Sequence, residues 1–428
     1  MITDRPTAAD RGQTTVARLM MILTLVVVLS TGVCASETDS IQESPPGTYK
    51  ILSDDGTISI PFELYRGDIR YECKINGHPV HMLLDDGFLW DQLLFWGGPV
   101  MDSLGLTYDG EVGVGGGHDE GDEGIASKTA SGITVGFPDV EFYDQAAVVT
   151  SSASGVYKMW SGSAGQISCM FFKHFIVDIN FDTMIITLIP RDRFAYRGHG
   201  VEVPWEPMGF GPRGIPAVLR LADGREEAMT LLMDLGYNDQ LQLRTGEEHD
   251  VVVPDKKIET VLGRNIQGEA TRGFIGRLPS VTIGGHEITN PLVAYIARES
   301  NEHTLSEAMV GLGLLSRFNL TFDFYGQRIF FEPARKFAEP YEYDMTGLIL
   351  RRGQDDNFEI VRVTPDSPGS EAGLKVGDRV YEINGRIAAG YDAFELKPLL
   401  RHEGATVELS VEHDGEKKTV SLILRRVL

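Results

Sequence analysis

Cysteine is scarce in this chain, with three among 428 residues, and positive charge is outnumbered. Cys34 falls in the N-terminal segment, which leaves Cys73 and Cys169 for the folded part; so far apart in sequence, they read equally as a disulfide or as two buried thiols. No Cys-x-x-Cys, His-Glu-x-x-His or Gly-x-Ser-x-Gly occurs. That removes a dithiol redox site, a helical zinc site and a serine nucleophile elbow. Lys and Arg total 39 against 62 Asp and Glu, a formal net charge of -23. Nucleic acid and anionic membrane are therefore poor partners. Long apolar runs are also missing: the longest, Leu19 to Leu29, falls short of the roughly 20 residues a spanning helix needs.

What precedes and follows that run gives it a meaning. Arg5, Arg11 and Arg18 stand before it and Val33-Cys34-Ala35 after it, the order of a secretory signal over residues 1–35 with cleavage after Ala35. The mature chain is then expected outside the cytoplasm, periplasmic or extracellular. A membrane would enter only through an uncleaved or Cys34-lipidated N-terminus. Residues 36–57, rich in Ser, Thr, Asp, Glu, Pro and Gly, read as a flexible mature N-terminus.

The rest is organised around two short stretches. His81-Met82-Leu83-Leu84-Asp85-Asp86-Gly87 and Thr230-Leu231-Leu232-Met233-Asp234-Leu235-Gly236 each run an apolar strand into one acid and a glycine turn. Before the first, Asn76-Gly77 joins Tyr71–Ile75 to Pro79–Leu84, a strong hairpin signal. Before the second, Ala217–Leu221 and Met229–Met233 flank Asp223-Gly224. Val281–Gly285 answers Ile133–Gly136, and Leu314–Phe324 with Ile329–Pro333 answers Phe171–Phe181 with Ile185–Pro190. The acids lie 149 residues apart, from 85 to 234, and the closing prolines 143 apart, from 190 to 333. Nearly constant spacing is what a duplicated all-β unit leaves. The expected units are 58–190 and 215–333, joined by a linker at 191–214.

Two tempting motifs are set aside. Gly209–Gly214 fits the dinucleotide fingerprint formally, but it contains Pro212, follows no strand and leads into no helix. The glycine-rich acidic stretch Gly110–Gly124 lacks the spacing of a calcium loop and reads as a solvated loop able to cover a cleft. No metal or cofactor is expected.

After a linker at 334–344 the texture changes. Ser367-Pro368, Ala372-Gly373-Leu374, Gly377-Asp378, Val380 and Ile383-Asn384-Gly385 fall at spacings that resemble a PDZ domain of the bacterial protease-associated kind over 345–428. The resemblance implies that Thr346, Gly347 and Leu348 form a loop receiving a peptide's terminal carboxylate on backbone N–H groups. Leu350 would line the pocket, and the peptide would add as a strand. Without the family, these would be ordinary strand and core residues.

Residues 58–333 resemble the retropepsin-like and pepsin-like aspartic peptidases, and most of all the bacterial branch with both lobes in one chain. The implied architecture is mainly β: two tandem acid-protease β-barrel lobes followed by a small α+β PDZ domain. The implied catalytic residues are Asp85 and Asp234, carboxylates that share one proton so that one activates water and the other protonates a scissile carbonyl. Gly87 and Gly236 supply the tight turns.

The supports depart from the family pattern. The middle residue, whose hydroxyl ties each turn to the opposite lobe, is Asp86 in one copy and Leu235 in the other. A leucine side chain makes no such bond. Asp86 can accept one, but as a third negative charge it pushes the shared proton's pKa upward. Phe88 and Tyr237 replace small residues after the glycines. The glycine expected on each lobe's late strand is met by Gly311, against Ser168 or Cys169 in the first lobe. The expectation is an exported, monomeric aspartic endopeptidase acting on peptide or unfolded-protein substrates, with C-terminal peptides as PDZ ligands. The alternative is a catalytically silent relative that holds peptides or proteins in the inter-lobe cleft and PDZ groove.

Overall fold

A computed structural model describes residues 48–428 apart from 55, 87–91, 115–124, 155, 160–161, 209–212, 246–250, 265–269, 298–306 and 354–355. The expected signal segment, Gly87, Phe88 and the tip of the acidic loop lie outside the described residues, as does most of the Gly209–Gly214 stretch. Among the described residues no helix is long and apolar enough to cross a membrane.

The chain is mainly β, as its alternating patterns predict. In Asp68–Ile75 alternate side chains point inward, and the strand pairs antiparallel with His78–Leu84 across the Asn76-Gly77 turn. Asn76 takes the left-handed conformation such a turn demands, with φ of 50°.

The duplication is visible strand by strand. In the first half, His78–Leu84 lies parallel to Gly165–Ile167, which is antiparallel to Leu93–Phe95, which is parallel to Val140–Thr150. In the second half, Glu226–Asp234 lies parallel to Ala308–Gly311, which is antiparallel to Leu241–Thr245, which is parallel to Leu292–Ala297. Both acid strands thus end beside a short late strand.

The two halves also pair with each other. Six strands run in the order Val201–Pro204, Arg328–Pro333, Phe318–Asp323, Ile176–Asn180, Ile185–Ile189, Ile58–Tyr65. At the centre the two closing elements meet antiparallel, with Val177 opposite Phe322 and Ile179 opposite Leu320. The Thr321 hydroxyl donates to Asp178 Oδ1 at 2.6 Å there. One apolar core runs through both halves.

Three boundaries differ from the expectation. The supposed linker 191–214 contributes Val201–Pro204 to this run of strands, at one end of a larger sheet, and ends inside the strand Arg213–Arg220. Short strands interrupted by proline give too little periodicity to be seen in sequence. Tyr49–Ile51, in the supposed flexible N-terminus, pairs with Val140–Phe142. Tyr341, in the second supposed linker, is buried in the main core. Cys73 and Cys169 are buried thiols that form no disulfide, and burial pushes Cys73 up to about 12.

Candidate active site

The strand His78–Leu84 delivers Asp85 and Asp86 to the lobe interface, and Glu226–Asp234 delivers Asp234 opposite them. The Asp85 N–H donates to the Ile167 carbonyl at 3.2 Å, which continues the parallel ladder one residue beyond the strand. In the second half Asp234 lies directly opposite Gly311. The Leu312 N–H donates to the Tyr237 carbonyl at 2.6 Å, which closes the second turn against its late strand.

The two acids converge on one glycine. Gly236 N–H donates to Asp234 Oδ1 at 2.7 Å. From the other lobe the Asp85 carboxyl presses on the same residue: a Cβ built on Gly236 would stand 2.4 Å from Asp85 Cγ and 2.5 Å from its Oδ1. No side chain larger than hydrogen fits there without displacing Asp85.

Asp86 does not stand beside the pair as a loose third charge. Its Oδ1 accepts the Leu235 N–H at 2.5 Å and its Oδ2 accepts Arg213 Nη1 at 3.0 Å. Asp86 and Arg213 are each 1 % exposed. The guanidinium carbon lies 4.1 Å from the Phe324 ring centroid and 4.8 Å from that of Phe172. Burial raises the Asp86 pKa, opposed by Arg213 and by the Leu235 N–H. The tie between turns that Leu235 was expected to lose is therefore made by its backbone, while its side chain is buried in the core. Sequence reasoning missed Arg213, placing it in a linker. The available signal was its phase: it alternates with Ile215, Ala217 and Leu219 on the buried face of its strand.

Asp234 is pushed up to about 7, by burial first and then by the Asp86 charge, against the Gly236 and Tyr237 N–H groups and Arg213. The upward push expected of Asp86 is present, and Arg213 partly offsets it. Beside the first turn Ser168 is buried with no partner for its hydroxyl; it is the residue after Ile167, which pairs with Leu84. The flanks of the acidic loop form a hairpin, Thr107–Val114 with Ile125–Gly136. Its Val112, Val114 and Ile125 belong to one apolar cluster with Leu94, Trp96 and Leu83, which precedes Asp85 by two residues. Among the described residues no cluster of His, Cys, Asp and Glu is arranged to hold a metal ion.

In the C-terminal unit, Leu348–Arg352 is the edge strand of a sheet that also contains Phe358–Val363, Arg379–Ile383, Thr406–His413 and Glu416–Ile423. Gly347 has φ of +73°, and a Cβ there would meet the Ser367 side chain at 2.1 Å. The N–H groups of the predicted carboxylate loop are partly engaged within the chain. Thr346 donates its N–H to Asp344 Oδ1 at 2.8 Å and its hydroxyl to the same atom, and Leu348 N–H donates to Thr346 Oγ1 at 3.0 Å. Leu348 is buried in the core of this unit and Leu350 packs partly against it. The helix Ala393–Leu399 faces the duplicated part. Phe394 and Lys397 line a cavity of about 340 Å³ together with Asn238 and Asp239, which follow the second acid turn, and Arg66 pairs with Asp392 nearby.

Comparison with known proteins places residues 347–424 in the PDZ domain family. Over 135 residues the chain is 28 % identical to the carboxy-terminal processing protease CtpB of Bacillus subtilis (strain 168), a match covering 31 % of this chain and 27 % of that protein. The chain thus spans about a quarter of that relative's length. Among solved structures, an aspartic proteinase from Irpex lacteus aligns over 66 % of this chain and 99 % of its own, with a TM-score of 0.42 and 13 % identity. A photosystem II D1 C-terminal processing protease aligns over 22 % of this chain and 25 % of its own, with a TM-score of 0.19 and 18 % identity.

Proposed function

We propose that the chain is an exported endopeptidase of the aspartic type, with Asp85 and Asp234 as its acid pair and the PDZ domain as a peptide-recruiting module. The observation that carries this reading is the convergence of two carboxyls, one from each half of a duplicated fold, on Gly236. With its proton held to about pH 7, Asp234 is the acid. Asp85 is the base. Water attacks the scissile carbonyl carbon and gives its proton to the Asp85 carboxylate, while Asp234 donates its own to the carbonyl oxygen. Collapse of the tetrahedral intermediate breaks the C–N bond: the proton on Asp85 passes to the amine, and a hydroxyl of the intermediate returns a proton to Asp234, which leaves the carboxylic acid product and restores the pair. The open edge of Leu348–Arg352 offers an extended peptide a strand to pair with.

The test is cleavage of an unfolded protein between pH 3 and 8 by the intact mature chain. Asp85→Asn and Asp234→Asn should each abolish it while the fold, followed by circular dichroism, is kept. Turnover that survives both changes overturns the assignment. Peptide binding without turnover at any pH would instead select the silent binding relative.

A further inference from the structure

We propose that Arg213 is a positioning residue for this acid pair: caged by aromatic rings at the lobe interface, it holds Asp86 as a carboxylate so that Asp86 can clamp the opposite acid turn. The proposal rests on the peptidase reading for its kinetic consequences, but its structural core can be tested without any turnover.

The geometry is specific. Both Asp86 oxygens accept, one from Arg213 Nη1 and one from the Leu235 N–H, which is the pattern of an ionised carboxylate. Both donors come from the second half of the chain, 127 and 149 residues away in sequence. Arg213 cannot be serving a second acceptor: its Nε and Nη2 are buried with no hydrogen-bond partner. Phe172, Phe322 and Phe324 surround it, at 4.8, 5.9 and 4.1 Å from the guanidinium carbon. A cation so enclosed costs desolvation that one carboxylate and three ring faces must offset. A neutral acceptor at position 86 would bond the Leu235 N–H without any of this. The arginine is needed only because the acceptor is charged.

The charge has a use at the neighbouring acid. The ionisable groups facing Asp234 are Asp85 against Gly236, Asp86 from the first turn, Arg213 from the strand beside it and Tyr237 from its own turn. Of the Asp86–Arg213 pair, Asp86 has the larger influence on Asp234 and it acts upward. The pair as a whole therefore raises the pH up to which Asp234 keeps its proton.

A double replacement separates this role from plain support. Asp86→Thr alone strands the buried arginine, and Arg213→Met alone strands the buried acid; each should lower turnover about a hundredfold or more by letting the turns drift apart. Asp86→Thr with Arg213→Met exchanges the ion pair for a neutral hydroxyl acceptor and a rod of similar length. It should recover turnover to within about tenfold of the parent and move the alkaline limb of the pH profile toward acid. Recovery with an unmoved limb overturns the tuning, and absence of recovery overturns the positioning. Should the parent cleave nothing, the peptidase reading falls by itself. Thermal unfolding of the four proteins and the carbon-13 NMR titration of the Asp234 carboxyl then decide the proposal. It requires the melting temperature to recover in the double variant and the Asp234 titration to move to lower pH. Additive losses in melting temperature, or an unmoved titration, overturn it.

Discussion

The two acid turns are copies of one design with opposite middle residues, and the contrast shows what such a turn needs. In the first, Asp86 sends a charged side chain across the interface; in the second, Leu235 buries its side chain and offers only its backbone N–H. A single bond therefore joins a side-chain acceptor on one lobe to a main-chain donor on the other. Only the first turn depends on which side chain it carries. The arginine that balances this asymmetry belongs to the second half, so the charge cost of one lobe's turn is met by the other lobe.

The comparison breaks most severely at Asp86. Asp86→Ala leaves the Arg213 guanidinium unpaired among phenylalanines and the Leu235 N–H without an acceptor. Losing one member of a buried ion pair costs about 3–5 kcal/mol, so denaturant unfolding should show a loss of that order. Gly236→Ala comes next. Its methyl group would displace the Asp85 carboxyl, since the space is already filled to 2.4 Å. Turnover should drop about a hundredfold, as expected for a misplacement of about 1 Å, with secondary structure kept.

A pH titration sharpens the comparison from the other side. The folded chain holds the Asp234 proton up to about 7 against a usual value of 3.8, whereas the unfolded chain releases it near the usual value. The group therefore adds stability at low pH that is lost as pH rises from about 4 through about 7. Turnover should fall over the upper part of the same window as the acid loses its proton. Unfolding and cleavage measured at pH 5 and pH 8 check both signs, and Asp234→Asn should remove this contribution to the stability difference.

Much of the frame was legible in the sequence because it rests on local rules. The alternation in Asp68–Ile75, the Asn76-Gly77 turn and the nearly constant offset between the two acid turns and between their closing strands all follow from residues near one another or from simple periodicity. The Ser-Pro to Ile-Asn-Gly run likewise marked the PDZ domain. What escaped depends on contacts that no window spans. Asp86 finds Arg213 only because the closing strands of the two halves pair, bringing Phe172 and Phe324 around a residue 127 positions from its partner. Asp344, two residues before Thr346, fills one backbone donor expected to face a ligand. Its half-buried carboxyl is recognisable as an acceptor only once the turn is folded.

The smallest effect is expected at Leu235, and it bears most directly on the contrast between the turns. Leu235→Met conserves volume in a fully buried site, and such exchanges usually cost less than about 1.5 kcal/mol. The backbone N–H that reaches Asp86 Oδ1 remains, because any residue but proline supplies it. The pH profile should therefore keep both its limbs in place, since no charge near Asp234 changes. Leu235→Pro removes the same N–H while the Asp86–Arg213 pair stays, and should reproduce only the part of the Asp86→Ala loss that comes from the broken bond between the turns. If Leu235→Met instead shifted the profile, the side chain would be part of the second turn's chemistry. The division between a side-chain grip in one lobe and a main-chain grip in the other would then have to be abandoned.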